Sequence, residues 1–245
     1  MNFRSETIQK WWPTTQSLDL VEGPVESVAT DVHMEVSRFL EGEGIATAWE
    51  NFPNLDAAFS VGSEFTNVPT IYLVLPTRSK WTVLWNNSLL CDGYDSLCWC
   101  LTQNRRYTTI HWSAHDELTT FQPGAGFNHR RFVNGEVIER TVHAIQEDKR
   151  WIFYESGQPL PEEDIQAYTL SRKRARLNET GMAALLSRLG ASPWVEQFYA
   201  LPEIQAFVLR RENPPSTIIR RSFTDVIRTA NKRVYADARK NTVRR

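Results

Sequence analysis

Phe127-Asn-His-Arg-Arg-Phe-Val133, the dipeptide Asn134-Gly135 and Val137-Ile-Glu-Arg-Thr-Val-His-Ala-Ile-Gln146 form the stretch on which the fold turns. Asn-Gly between two strand-like runs is the strongest short-range hairpin signal. Both residues tolerate the positive φ of a type I′ turn, whose twist matches that of the strands it joins. A second reversal around Asp148 returns the chain through Arg150–Tyr154, so the region reads as an antiparallel meander.

Working upstream, Tyr107–Ser113 reads as one more strand, and Asp92–Thr102 as a helix. Tyr94, Leu97, Cys98 and Leu101 make the apolar stripe of that helix, with Asp92 as its N-cap. Thr70–Leu75 (TIYLVL) and Lys80–Asn86 (KWTVLWN) are rich in β-branched and aromatic residues, and Pro76–Ser79 joins them as a hairpin loop. Both strands are apolar at nearly every position, which predicts central strands covered on both faces. Val25–Leu40 is the clearest helix, with Val25, Val28, Ala29, Val32, Val36, Phe39 and Leu40 on one stripe. Pro24 suits its start and Gly42 its end.

Downstream of Pro161 the period turns helical. Glu162, Glu163 and Asp164 open a helix that Arg172, Lys173, Arg174 and Arg176 close, acids first and bases last, as the helix dipole favours. A shorter helix carries Met182, Leu185, Leu186 and Leu189 ahead of Gly190. Glu212–Thr217 (ENPPST) breaks the chain, because two prolines cannot continue a helix. A final helix from Ser222 to about Arg239 follows, with Phe223, Val226, Ile227, Ala230 and Val234 as its apolar stripe. The fold class expected is α+β: a central, mainly antiparallel sheet, hairpin plus meander, flanked by N-terminal and C-terminal helices. Residues 1–209 are expected to form a single domain and residues 210–245 a basic linker with an amphipathic helix. Nine Trp, twelve Phe and seven Tyr supply the bulk of a sizeable core.

The charge is unevenly placed. Residues 210–245 hold eleven Lys or Arg against three Asp or Glu, a balance of +8; the whole chain is −1, which leaves −9 on residues 1–209. No apolar run approaches the roughly 20 residues of a membrane span, and Met1–Lys10 has no signal-like apolar segment. A cytoplasmic protein without a membrane partner is expected.

Several chemistries are weakly signalled. Cys91, Cys98, Cys100, His111 and His115 crowd together, but the CxxxxxxC and CxC spacings differ from the paired short spacers of zinc sites. On a helix Cys98 and Cys100 point about 200° apart. Buried thiols without metal or cofactor are the expectation. Cys91 or Cys100 with His111 or His143 and Asp92 can be drawn as nucleophile, base and acid. No GxSxG elbow fixes a nucleophile, however, and both histidines alternate with polar residues (Thr109, Ser113, Glu139, Thr141) on strand faces expected to be solvated. Pro123-Gly124-Ala125-Gly126 lacks the spacing of a phosphate loop and reads as a turn. No catalytic residue is assigned.

What remains is electrostatic. The leading expectation is a non-enzymatic protein-binding module of immunity or antitoxin type, by analogy of kind. It would cap a basic partner through Glu41, Glu43, Glu162, Glu163 and Asp164, with Glu50 nearby. One alternative is nucleic-acid association through Arg228, Lys232, Arg233, Arg239 and Lys240, with steep salt dependence. Another is a hydrolase-type enzyme whose residues are scattered over strand ends and loops.

Overall fold

Asn134 and Gly135 turn with φ of 53° and 94°, and the strands beside them pair from Gly124↔Ile145 to Val133↔Glu136. The computed structural model describes residues 4–11, 15–40, 43–88, 95–115, 123–148, 150–200, 202–214 and 216–226. In chain order the elements are α1 (Glu6–Lys10), β1 (Ser17–Glu22), α2 (Val25–Phe39), β2 (Ile45–Phe52), α3 (Leu55–Ser60), β3 (Glu64–Thr66), β4 (Ile71–Leu75), β5 (Trp81–Asn86), α4 (Asp95–Arg105), β6 (Thr109–His115), β7 (Gly124–Val133), β8 (Glu136–Glu147), β9 (Arg150–Ser156), α5 (Lys173–Arg176), α6 (Glu179–Arg188), β10 (Ile204–Arg211) and β11 (Arg220–Ser222). Single 3-10 turns lie at Ala167–Thr169 and Glu196–Phe198.

The architecture is α+β. One nine-stranded sheet runs in the order β2-β10-β4-β5-β1-β6-β7-β8-β9, and its neighbours pair antiparallel throughout. A small second sheet pairs β11 with β3. The hairpin of β4 and β5 sits in the interior of the large sheet, and its side chains are almost wholly buried on both faces, as their unbroken apolar runs predict.

Alternation sorts the core into two layers. One face presents Leu18, Leu20, Leu73, Leu75, Trp81, Val83, Trp85, Ile110, Trp112, Phe127 and Val142 to α1, α3 and α6, where Ile8, Trp11, Leu55, Phe59, Met182 and Leu186 meet them. The other presents Val21, Tyr72, Val74, Leu84, Phe207 and Leu209 to the stripe Val28, Ala29, Val32 and Val36 of α2, and to Leu97 and Leu101 of α4. Glu35, buried on α2, clasps the two helices together: its carboxylate accepts from Asn104 at 3.1 Å and Arg105 Nε at 2.8 Å.

Four expectations are corrected. Residues 124–126, expected to form a turn, open strand β7 and pair with both β6 and β8. No long helix runs from Glu162 to Arg176; the segment folds as turns, the 3-10 turn at Ala167–Thr169 and the four-residue α5. The side chain of Glu163 is 0% exposed against the equally buried Arg140 of β8, so it is committed to the sheet and not to the first turn of a solvated helix. The boundary drawn after residue 209 falls within β10, where Arg210 and Arg211 pair with Ala46 and Ile45 of β2. The face bearing His111 and His143 is polar as expected, but α4 partly covers it and leaves the His111 side chain only 14% exposed. Of the final helix, residues 223–226 are described and helical, and Ser222 caps them by accepting from Asp225 N at 3.2 Å; its remainder lies outside the described residues. Among the described residues no helix is long and apolar enough to cross a membrane.

Candidate functional site

The register of β1, β6, β7 and β8 brings distant polar residues to one face. Asp19 lies opposite His111, His111 opposite Asn128, and Asn128 opposite Thr141; one row along, Ser113, Gly126, His143 and Tyr154 line up. Gly126 is required there, since a Cβ at that position would stand 2.0 Å from His143 Nδ1. The imidazole therefore lies flat across β7.

At the centre is a buried carboxylate. Asp19 Oδ1 is 2.7 Å from His111 Nδ1, so that nitrogen carries the proton and donates, which leaves Nε2 as the second functional atom of the ring. The Cys98 thiol also donates to Asp19 Oδ1, at 3.2 Å. Burial alone would depress His111; the Asp19 carboxylate, helped by Asp95, outweighs it and holds the imidazole pKa above its ordinary value. Burial and the Asp19 charge push the Cys98 thiol up, which keeps it protonated and poorly nucleophilic.

A second layer joins this pair to α4. Arg130 grips Asp95 with two hydrogen bonds, at 2.6 and 3.0 Å, and directs its Nε to Glu139. Asn128 donates to Asp95 Oδ1 at 3.0 Å and accepts from His143 Nε2 at 3.1 Å. Burial, reinforced by the charge of His111, lowers the His143 pKa. Asp95 is held low even though burial opposes it, because Arg130 and Asn128 bond its charged form. Three carboxylates (Asp19, Asp95, Glu139) thus share one guanidinium and two imidazoles, of which His143 has its pKa lowered by burial. The network is anionic whether His111 is protonated or neutral. Beside it stand two exposed aromatics, Trp99 on α4 and Tyr154 on β9, 45% and 54% accessible. The Arg130 guanidinium lies 5.8 Å from the Trp99 ring centre, and Ile152 continues the apolar surface along β9.

The acids singled out from sequence are not assembled into one surface. Glu43 is bound by Arg211 through two hydrogen bonds of 2.7 Å, and Glu50 by Arg210; both pairs lie at the β2–β10 edge. Glu163 is bound by Arg140 at 2.7 Å beside β8 and β9, at the far edge of the sheet. Asp164 Oδ1 accepts weakly from Ala167 N at 3.4 Å, and the Glu162 carbonyl accepts from Arg188 Nε at 2.5 Å. Basic residues of the C-terminal part thereby meet acids of the body, with Arg220 on Glu64 as a further pair. Glu41, Cys91, Asp92 and the nucleic-acid candidates Arg228, Lys232, Arg233, Arg239 and Lys240 lie outside the described residues.

On the opposite face of the sheet two cavities flank the junction of α5 and α6. One of about 470 Å³ reaches from Ala114 and Ala125 to Arg172 and Arg174. One of about 290 Å³ lies by Glu163, Tyr168 and Leu185. Among the described residues no group of three or more His, Cys, Asp or Glu side chains is arranged to hold a metal ion. Comparison with protein-family models, curated proteins and solved structures found no match.

Asp19, Asp95, Asn128, Arg130 and Glu139 were not singled out from sequence. Asn128 and Arg130 alternate on β7 as Glu139, Thr141 and His143 do on β8. That doubled polar alternation on adjacent hairpin strands is the signal that points to a shared polar face.

Proposed function

We propose that the chain is a recognition protein that caps a basic protein partner, in the manner of an immunity protein or antitoxin, and that it docks through the face carrying Trp99 and Tyr154. The observation that carries this reading is the pairing of the two exposed aromatics with a net-anionic network. Aromatic residues are the usual anchors of protein interfaces. Carboxylates in excess of their cations steer a basic surface toward them and raise its association rate. The acids at Glu43 and Glu163 serve the fold, so the docking surface moves from them to Asp95 and Glu139.

The test is capture from lysate of the source cells at low salt, with wild type and Trp99→Ala/Tyr154→Ala as paired baits. A stoichiometric basic protein should be held by wild type, lost from the variant and released by raised salt. A partner retained equally by both baits, or no stoichiometric partner, would refute the assignment.

The Asp19–His111 pair supports a second assignment, a hydrolase-type enzyme in which His111, oriented by Asp19, serves as general base through Nε2. Hydrolysis of an ester or amide panel, lost in His111→Gln and in Asp19→Asn, would favour this assignment over the first.

A further inference from the structure

The large sheet has an open edge at β2. Among the described residues no strand pairs with β2 on the side away from β10, and Ala46, Thr47, Ala48 and Trp49 are all exposed. The ladder fixes which backbone groups face outward. Gly44 O accepts from Glu212 N at 2.8 Å, and on the other side of β10 Arg211 N donates to Thr70 O at 2.9 Å. Bonded and non-bonded pairs alternate along an antiparallel ladder. Ala46, Ala48 and Glu50 therefore bond to β10, while Ile45, Thr47, Trp49 and Asn51 turn their N–H and C=O groups away from it.

Sheet edges are normally guarded by lysine, proline, a bulge or a covering element. Ile45–Phe52 contains neither lysine nor proline, and it pairs with β10 without a break in register. Its one charge, Glu50, is ion-paired with Arg210. Small side chains at Ala46, Thr47 and Ala48 leave room on both faces for another strand, and Trp49 lies against Phe207 with ring centres 5.2 Å apart. The other edge strand, β9, carries Arg150 and Glu155 and has α5 packed against it.

The edge is complementary to itself in one register. A two-fold axis through Ala48 sets the two Ala48 residues face to face. It places Ile45 opposite Asn51, Ala46 opposite Glu50 and Thr47 opposite Trp49 of the second copy. Every outward N–H and C=O from Ile45 to Asn51 then has a partner, and no like charges stand opposite each other. An axis through Trp49 would set Ile45 opposite Pro53, which has no N–H to give. An axis through Thr47 would set Asn51 opposite Glu43, whose N–H is already given to Leu40 O at 2.9 Å.

We infer that the chain forms a symmetric homodimer through antiparallel pairing of β2 with β2 of a second copy, with Ala48 on the two-fold axis, so that two nine-stranded sheets join into one. Tyr154 is on β9, at the far end of the sheet from β2, so the dimer stands or falls independently of the docking proposed above.

Sedimentation equilibrium of the full chain between about 2 and 200 µM tests it. One strand pair buries on the order of 1,000 Å², the low end for specific interfaces, so a monomer–dimer equilibrium with Kd of about 10–100 µM is expected. Ala48→Lys and Ala48→Glu each set like charges face to face and should weaken dimerisation at least tenfold, whereas an equimolar mixture of the two should dimerise at least as tightly as wild type. Thr47→Pro removes an outward N–H and spares the β10 ladder, so it should give a monomer with an unchanged circular dichroism spectrum; if it fails to fold, the charge-swapped pair decides alone. A wild-type chain that stays monomeric, association that continues beyond the dimer, an unchanged Kd in folded Thr47→Pro, or a Lys/Glu mixture that stays monomeric would overturn the assignment.

Discussion

Replacing Arg140 with Met should cost this protein a large fraction of its stability. The guanidinium is 3% exposed and Glu163 0% exposed. Arg140 meets Glu163 at 2.7 and 2.9 Å, Glu155 at 2.6 Å, and the carbonyls of Ser156 and Gly157 at 3.2 and 3.0 Å. Met preserves most of the apolar stem and removes the charge, so the effect isolates electrostatics from packing. Removing one partner of a buried pair strands the other, which costs about 3–5 kcal/mol. Glu163 would keep the Leu160 N–H at 2.7 Å but no cation. Glu155 is 42% exposed, and its share should stay below about 1 kcal/mol. Against a total stability of roughly 5–15 kcal/mol, a loss near 4 kcal/mol lowers Tm by about 8–16 °C in a chain of this size. Urea unfolding followed by tryptophan fluorescence, with calorimetry for Tm, measures it. Arg140→Met/Glu163→Leu should recover most of the loss, since the stranded charge goes with the second change. A loss under about 1 kcal/mol for Arg140→Met, or an equal loss for Glu155→Gln, would refute the reasoning.

Three further outcomes are expected. Burial, with the charge of Arg131, pushes the His129 imidazole down to about 4, whereas an unfolded histidine titrates near 6.5. Between those values the unfolded chain binds more protons, so stability falls as pH drops through the window. By pH 4.5 the loss is about 2–3 kcal/mol, and His129→Leu should remove that part of the slope in urea midpoints measured at pH 7 and 4.5. Gly126→Ala places a methyl group on the His143 ring and should cost about 1–3 kcal/mol by overpacking. The penalty should largely vanish in Gly126→Ala/His143→Ser, and a persistent penalty would show that the clash lies elsewhere. Asn87 is buried, accepts from Thr70 N and Ile71 N, and donates to the Glu64 carbonyl and Thr70 Oγ1, all between 2.8 and 3.0 Å. Asn87→Ala leaves two backbone donors without partners and should destabilise by about 2–4 kcal/mol, with amide exchange at Thr70 and Ile71 accelerated first.

Local pattern predicted the meander, the apolar hairpin and the helices whose stripes face the core, because each is decided by neighbours in sequence. Asn134-Gly135 set the β7–β8 register, and Val28, Val32 and Val36 set the buried side of α2. Long-range polar burial was not legible. Glu162, Glu163 and Asp164 have the composition of a helix start, and nothing near them shows that Arg140 would take Glu163. Asp19 breaks the apolar run of β1, and the break makes sense only once His111 lies against it. The polar alternation around His111 and His143 was visible; its cover was not, because α4 reaches that face through tertiary packing.

Strand β10 is inserted between β2 and β4 although it follows them by well over a hundred residues. A nascent chain must therefore hold β2 without a neighbour, and β4 with one open side, until residue 211 emerges from the ribosome. Through most of synthesis the bare backbone of Ile71–Leu75 is available to other chains. Premature termination anywhere before Ile204 should therefore yield aggregates and not a smaller soluble product.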